Sequence, residues 1–241
     1  MPELPEVETI RRQLVKKIIG KKLNGQKIID IRRRGKILMV DFAEGSSLVF
    51  HLKLAGQLIF NGKPTKYTRK VFNFDDGSQL IFNDVRKFAW WKKVKTTKEI
   101  EKELGPEALE ITFETFKTLF KKHPKIKIKP LLMNQKFIAG IGNIYSDEIL
   151  FASKVKPMRQ AKTLSEKEIQ NVFQDTKKIL KTAIKYQGSS IQHYLDAYGR
   201  KGNYSQCHKV YHQNKCSLCG AGIKTTKING RTAHYCPKCQ K

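Results

Sequence analysis

Two groups of residues in this 241-residue chain have the types and spacing to do chemistry. One lies near the C-terminal end, where "CSLCGAGIKTTKINGRTAHYCPKC" sets Cys216, Cys219, Cys236 and Cys239 as two C-x-x-C pairs with sixteen residues between them. Two intervening residues let both thiolates of a pair reach one ion, and "KINGRT" supplies a turn between two strands. Four sulfurs fill a tetrahedral sphere with no position left open, so the expected cofactor is a single structural Zn2+. A redox role would need only one such pair, and two make it the weaker reading. Cys207 is then a leftover free thiol, and His208, His212 and His234 are not needed as ligands. Arg231 stands on the hairpin as a cation beside this scaffold; on composition alone it is a phosphate contact.

The other group opens the chain. In "MPELPEVETI", Pro5 suits a first helical turn and the glutamates complement the helix N-terminal dipole. That local account leaves Pro2 unexplained. Loss of Met1 would expose a prolyl secondary amine, and an α-amino group with a pKa of about 7.7–8.0 is partly unprotonated at neutral pH. Attack of such an amine on the anomeric carbon of a sugar gives an iminium with no N–H to lose, which is a permanent electron sink. Glu3, adjacent, could act as acid or base.

The rest of the composition says what this chemistry would meet. Lys and Arg number 48 against 21 Asp and Glu, a formal net charge of +27 with pI about 9.9. Charge of that sign and size argues for a polyanion, foremost nucleic acid. A generic lysine-rich surface is the blander alternative, and no long basic amphipathic helix points to an anionic membrane. No apolar run approaches the ~20 residues of a membrane span. No basic leader precedes an apolar stretch, and paired C-x-x-C cysteines fit a reducing compartment, so a cytoplasmic location is expected. With 39% hydrophobic and 10% aromatic residues a sizeable core is expected.

These groups need elements to hold them. A short helix is predicted from Val7 to about Ile19. From Ile28 to Val94 the runs "IIDI", "KILMVDF", "SLVFHLKL" and "QLIF" read as strands, and "VFNFDDGSQLIFND" as a hairpin turning at Asp76-Gly77. Several antiparallel strands at this spacing suggest a sandwich or barrel. From Lys98 the pattern turns helical through "TTKEIEKELGPEAL" and "TFETFKTLFKKH". Ser165-x-x-Glu168 reads as a capping box opening a long helix to about Tyr186. Gly188 ends the helical half, a polar glycine-containing stretch follows, and the cysteine-bearing hairpin closes the chain.

The segments "MPELPEVETIRRQL", "RRRGKIL", "NDVRKFAWW", "LGPEAL" and "IAGIGNIYSDEILF", together with the terminal four-cysteine finger, occur in the order found in bacterial formamidopyrimidine-DNA glycosylase. The chain resembles a shortened member of that family over nearly its whole length. The resemblance implies an α+β multidomain fold: an N-terminal antiparallel β-sandwich with an N-terminal helix (1–97), a helix-two-turn-helix DNA-binding domain with a lesion-capping loop (98–206), and a zinc finger (207–241). It implies a bifunctional DNA glycosylase and abasic-site lyase that excises 8-oxoguanine and formamidopyrimidines and then nicks the strand by β,δ-elimination. The implied partner is damaged double-stranded DNA, engaged by a monomer without a membrane.

Residue roles follow from the same resemblance. Pro2 matches the nucleophile, Glu3 the acid/base that activates the sugar, and Glu6 a supporting carboxylate. Lys36 matches the proton donor in β-elimination and a phosphate contact, although a solvated strand lysine is its default reading. Arg231 matches the finger arginine of δ-elimination. Asn143, in "GIGNIY", matches an asparagine holding phosphate at a helix start, and Lys125 a further DNA contact. Leu54, Arg86 and Phe88 fall where the family places the wedge that fills the hole left by a flipped nucleotide. On local grounds Leu54 and Phe88 would be core residues. Tyr67 stands where a DNA-contacting histidine is common, and His51 completes the implied DNA contacts.

Some stretches depart from the family pattern. Between Leu23 and Ile28 the family has a further strand and a small helix, whereas "KKLNGQKIIDIRRRGK" runs almost straight through, which leaves the sandwich an element short or its edge closed differently. Leu54 replaces the usual methionine, and "GSSIQHYLDAYGRKGNYSQC", aligned with the capping loop, is divergent. Two other functions remain open at this point: endonuclease VIII-like action on oxidised pyrimidines or abasic sites, and a non-catalytic nucleic-acid-binding zinc protein.

Overall fold

The computed structural model describes all residues from 1 to 241. The chain divides into two compact units, residues 1–103 with 183–205 and residues 104–182 with 206–241.

The first unit begins with α1 (Leu4–Ile18), three residues earlier than the apolar pattern predicts. Its start is set by Glu3, an extended N-cap with φ −107° and ψ −169°, followed by Pro5 in the first turn. Leu4, Val7, Ile10, Leu14 and Ile18 recur at three- and four-residue intervals and are fully buried. Eight strands follow: β1 (Lys22–Leu23), β2 (Gln26–Arg34), β3 (Ile37–Phe42), β4 (Ser47–His51), β5 (Gly56–Phe60), β6 (Thr68–Asn73), β7 (Gln79–Asp84) and β8 (Trp90–Val94). They form two antiparallel sheets, ordered β1-β2-β3-β4-β8 and β5-β7-β6. The sheets meet through aromatic rings. Phe50 of β4 lies 5.6 Å from Phe72 of β6 and 6.1 Å from Phe82 of β7. One apolar core joins both sheets and α1. The expected sandwich with an N-terminal helix is therefore present.

Its shortened edge is closed by a turn that the strand patterns alone did not reveal. Asn24 and Gly25 take φ +51° and +77°, the conformation of a two-residue type I′ hairpin, and join β1 directly to β2. The β6–β7 turn then latches onto it. Asp75 N–H donates to the Lys22 carbonyl (3.0 Å), Gly25 N–H donates to Asp75 Oδ2 (3.1 Å), and Lys21 pairs with Asp76.

Residues 183–205 complete this unit by packing on the sandwich and α1. Tyr194 and Ala197 enter its core. The Gln13 side chain donates to Asp196 Oδ2 (2.8 Å) and accepts from Ala197 N–H (2.8 Å), while Phe60 N–H donates to the Ala197 carbonyl (2.8 Å).

The second unit contains α3 (Phe113–Lys121), α4 (Ile128–Met133), α5 (Asn143–Ala152), most of α6 (Glu166–Lys185), and the hairpin β9 (Lys224–Ile228) and β10 (Arg231–Tyr235). Thr112 caps α3, and Phe116 packs between Phe120, Phe137 and Phe173 at 5.6–5.9 Å. The capping box of α6 forms as read, with Ser165 N–H on Glu168 Oε2 (2.8 Å) and Glu168 N–H on Ser165 Oγ (3.2 Å). The stretch "TTKEIEKELGPEAL" yields only α2 (Lys98–Lys102). The helix ends at its C-cap Glu103, and beyond it Gly105 lets the Lys136 carbonyl oxygen come within 2.4 Å of where a β-carbon would sit.

Candidate functional site

The N-terminal residues are held by one carboxylate. Glu6 Oε2 accepts the Glu3 backbone N–H at 2.7 Å, while its Oε1 accepts the Ser189 N–H at 2.8 Å. Glu3 and Glu6 are each only 1% exposed and Pro2 is also buried, with Met1 at the surface. Gly188, at φ +81°, lets the 187–190 backbone pass against Glu6. Tyr194 Oη donates to the Gln187 carbonyl at 3.1 Å on the same side.

Lys36 follows Gly35 in the β2–β3 turn and is 7% exposed, so it is not the solvated strand lysine of the default reading. The turn is tied to α1 through Arg33, whose Nη1 donates to the Gly35 carbonyl (3.0 Å) and whose Nε donates to Glu8 Oε2 (3.1 Å). Glu8 also takes Arg11 at 2.8 Å and Arg12 at 2.7 Å. Burial pushes the Glu8 carboxyl up, but the hydrogen bonds and charges of Arg11, Arg12 and Arg33 outweigh it and bring its pKa down to about 2. His51 sits opposite Ile37, its Nδ1 accepting the Lys53 N–H at 3.0 Å. Burial first, then the charges of Lys53 and Lys36, lower its pKa to about 4, so the ring is neutral at physiological pH.

Leu54, Arg86 and Phe88 lie on two adjoining loops of the same unit. Phe88 is 57% exposed and Leu54 half-buried, which corrects the local reading of both as core residues. They follow turns rather than strand alternation, so neither faces the sandwich interior. The Arg86 guanidinium lies 5.6 Å from the Phe88 ring. The loops come together at Gly56, where a β-carbon would meet the Ala89 Cβ and the Leu52 carbonyl oxygen, each at 2.7 Å. Tyr67 is exposed beside them and its carbonyl accepts the Asp84 N–H at 3.0 Å.

The other candidates belong to the second unit. Asn143 opens α5 directly after Gly142, and its Oδ1 is buried without a hydrogen-bond partner. Gln135 shapes the preceding loop by donating to the Ile141 carbonyl (2.8 Å) and accepting from Gly140 N–H (2.9 Å). Lys125 is exposed in the turn before α4. Arg231 is exposed at the start of β10, opposite Ile228 across the Asn229-Gly230 turn.

Residues that the sequence did not single out hold that hairpin. Lys129, 1% exposed, contacts Asp147 Oδ1 at 2.5 Å and donates to the Thr232 carbonyl at 3.0 Å. Asp147 Oδ2 accepts the His234 N–H at 3.0 Å and lies 2.9 Å from its Nδ1. Glu148 accepts the N–H groups of Lys209, Val210 and Tyr211 at 2.9–3.1 Å. Glu8 and Asp84 were missed in the same way. For Asp84, Asp147 and Glu148 the only signal was an acid inside an otherwise apolar run; Lys129 and Glu8 gave none.

Four cysteine sulfurs converge within 4.8 Å of one another, Cys216 to Cys239 at 3.8 Å and Cys219 to Cys236 at 3.5 Å. Sulfurs at about 2.3 Å from a tetrahedral ion stand about 3.8 Å apart, so the donor set fits a metal of that geometry. Leu218 N–H and Cys239 N–H point at Cys216 and Cys236 sulfurs (3.5 and 3.4 Å), as they would for thiolates. No histidine joins the cluster.

Comparison with known proteins places these features. Residues 19–91 match the formamidopyrimidine-DNA glycosylase N-terminal domain, residues 104–194 the H2TH domain of the same enzymes, and residues 213–241 a zinc finger found in FPG and IleRS. The formamidopyrimidine-DNA glycosylase of Listeria innocua is 38% identical over 275 aligned positions that cover all of both chains. The Lactococcus lactis Fpg bound to abasic-site DNA superposes with a TM-score of 0.91 at 35% identity, over 99% of each chain. A Lactococcus lactis FPG mutant bound to Fapy-dG-containing DNA gives 0.91 at 34% identity over all of both. The alignment with the Listeria protein is longer than this 241-residue chain, which is consequently a shortened version of its relatives. Matches to all three parts and identity of this order over the full length show that the chain belongs to the formamidopyrimidine-DNA glycosylase family of DNA-repair enzymes.

Proposed function

We propose that this enzyme removes oxidised purines, 8-oxoguanine and formamidopyrimidines, from double-stranded DNA and then cuts the strand as an abasic-site lyase. The observation that carries the reading is the proline-led helix start, in which Glu6 fixes the Glu3 backbone and residues 187–190 are folded against the same carboxylate. Relatives bound to abasic and Fapy-dG-containing DNA support the substrate class. The net charge of +27 supports a phosphate-rich partner. We further assign residues 1–97, 98–206 and 207–241 as the catalytic, DNA-binding and finger segments.

With Met1 removed, the Pro2 nitrogen attacks C1′ of the damaged nucleotide. The bond between C1′ and the base breaks, and the base leaves with the electron pair and a proton. Glu3 opens the sugar by proton transfer at its ring oxygen, leaving an iminium between Pro2 and C1′. Water takes a C2′ proton and the 3′ phosphate leaves with the C3′–O electron pair, with Lys36 as the phosphate contact and the proton donor to the leaving oxygen. A second elimination expels the 5′ phosphate with Arg231 beside it, and water releases the sugar remnant from Pro2. Asn143 and Lys125 hold backbone phosphates, Asn143 at a helix start whose N–H groups favour anions. Leu54, Arg86 and Phe88 fill the gap in the stack, and Tyr67 and His51 line the DNA side. Cys216, Cys219, Cys236 and Cys239 hold one structural Zn2+ that stiffens the finger. The enzyme works as a cytoplasmic monomer.

Borohydride trapping tests this reading on a duplex with one 8-oxoguanine opposite cytosine, with Pro2→Gly alongside. A covalent protein–DNA band from wild type alone supports both nucleophile and lesion. A band only on an oxidised-pyrimidine or abasic duplex moves the substrate, and no band on any duplex from protein lacking Met1 refutes the lyase.

A further inference from the structure

Between β7 and β8, the loop of residues 85–89 is strung on a single side chain. Asp84, at the end of β7 and 1% exposed, accepts the Arg86 N–H on Oδ1 at 3.0 Å and the Ala89 N–H on Oδ2 at 2.7 Å. Its own N–H donates to the Tyr67 carbonyl at 3.0 Å, and its carbonyl accepts from Arg69 Nε at 3.1 Å. One residue thus grips both ends of the loop that carries Arg86 and Phe88 and is itself clamped from the β6 side. Within the loop, Lys87 sits at φ +59°, a left-handed conformation that a non-glycine residue holds only when its surroundings enforce it. Asp84 also lies opposite Gly56 in the β5–β7 ladder, and Gly56 is where the Leu54 loop and Ala89 close on each other.

We infer that Asp84 is a positioning residue for base eviction: its carboxylate fixes Arg86 and Phe88 at the register in which, with Leu54, they enter the base stack. The inference rests on the reading of those three residues as the wedge. The charge and both oxygens matter. Asparagine would keep an acceptor for Arg86 N–H but turn an amide donor toward the Ala89 N–H, freeing the half of the loop that carries Phe88. Asp84 reaches the DNA only through that loop, so the chemistry at the sugar does not depend on it. A step with no base to evict should be nearly indifferent to its loss.

The test compares Asp84→Asn with wild type under single turnover, on the lesion duplex that wild type excises and on a duplex with a preformed abasic site. Borohydride-trapped protein on abasic DNA counts the folded, competent molecules in each sample, so partial misfolding is normalised out. The expected result is base release slowed about tenfold or more, with abasic-site cleavage changed by less than about threefold. In a Phe88→Ala background, Asp84→Asn should cost no more than about a further twofold, because the group it positions is gone. Unchanged base release, an equal loss on both substrates, or the full loss in the Phe88→Ala background would each overturn the inference. If Arg86→Ala and Phe88→Ala both release the base at the wild-type rate, the wedge reading falls and this inference falls with it. If they slow it while Asp84→Asn does not, only the inference fails.

Discussion

A β-carbon on Gly188 would sit 2.8 Å from Glu6 Oε1 and 2.9 Å from Glu6 Cγ. The same Glu6 oxygen accepts the Ser189 N–H, and the other carboxylate oxygen accepts the Glu3 N–H. The glycine that ends α6 thus packs against the residues at the start of the chain, although it lies far from them in sequence. Its φ of +81° is a second reason for glycine there.

Gly188→Ala should therefore act on stability and on chemistry together. Left-handed backbone and a displaced Glu6 carboxylate predict a loss of about 1–3 kcal/mol in thermal or urea unfolding. At a temperature where the variant is still folded, base release should be slower than wild type, because Glu3 loses its anchor. Wild-type excision by a destabilised variant would show that the Glu6 clasp is only structural.

Removing the metal by chelation tests the finger. Two C-x-x-C knuckles with buried Cys216 and Cys236 have few apolar neighbours, chiefly Phe151, Val210, Ala221 and Ile223. Such a small cluster does not hold a hairpin alone, so a metal bound by the four cysteines would supply folding energy directly. Stripping zinc, verified with a metal-indicator dye, should lower DNA affinity and slow incision about tenfold or more. Arg231→Ala should retain the metal and impair the second elimination selectively. Unchanged incision after verified zinc loss would refute the role assigned to the finger.

The sequence made some of this legible and left some of it out for physical reasons. Period-two and period-three-to-four patterns located the strands and helices, the four cysteines announced their site, and Ser165 with Glu168 announced a helix start. The Asn24-Gly25 hairpin was readable in principle, since that dipeptide is a strong turn signal, but the strand beside it has only two residues and no pattern of its own. Lys129 and Asp147 were not readable. They are eighteen residues apart, and their pairing exists only because α4 and α5 pack together. Phe88 was misread on local grounds because exposure of an aromatic is a tertiary property. Gly188 was read as a helix end, which it is; its contact with Glu6 required the fold.

Acid should weaken the N-terminal unit through Glu8. Its folded pKa of about 2 lies below the ordinary value of 4.5, so the contribution is full above that value and is lost as pH falls from about 4.5 toward 2. His51 acts in the same direction but earlier. With a folded pKa of about 4 against an ordinary 6.5, its protonation favours the unfolded chain as pH falls below about 6.5. Urea unfolding from pH 7 to 3 should show Glu8→Gln less stable at pH 7 and flatter below 4.5. A parallel offset at every pH would mean that Glu8 acts by packing rather than by charge.

Lys129 offers the sharpest test of how the finger hairpin is placed on the second unit. Its ammonium contacts Asp147, which is wholly buried, and bonds the carbonyl of Thr232, the residue after Arg231. Lys129→Met leaves the buried Asp147 carboxylate with only its His234 partners and should destabilise the protein by about 3–5 kcal/mol. Adding Asp147→Asn removes the stranded charge while keeping an oxygen for the His234 N–H, so the double variant should recover part of the loss in thermal unfolding. Incision should not recover with it, since the Thr232 carbonyl still lacks its partner and Arg231 is no longer fixed. A double variant that regains both stability and wild-type strand cutting would show that the pair serves the core alone and that Arg231 needs no such support.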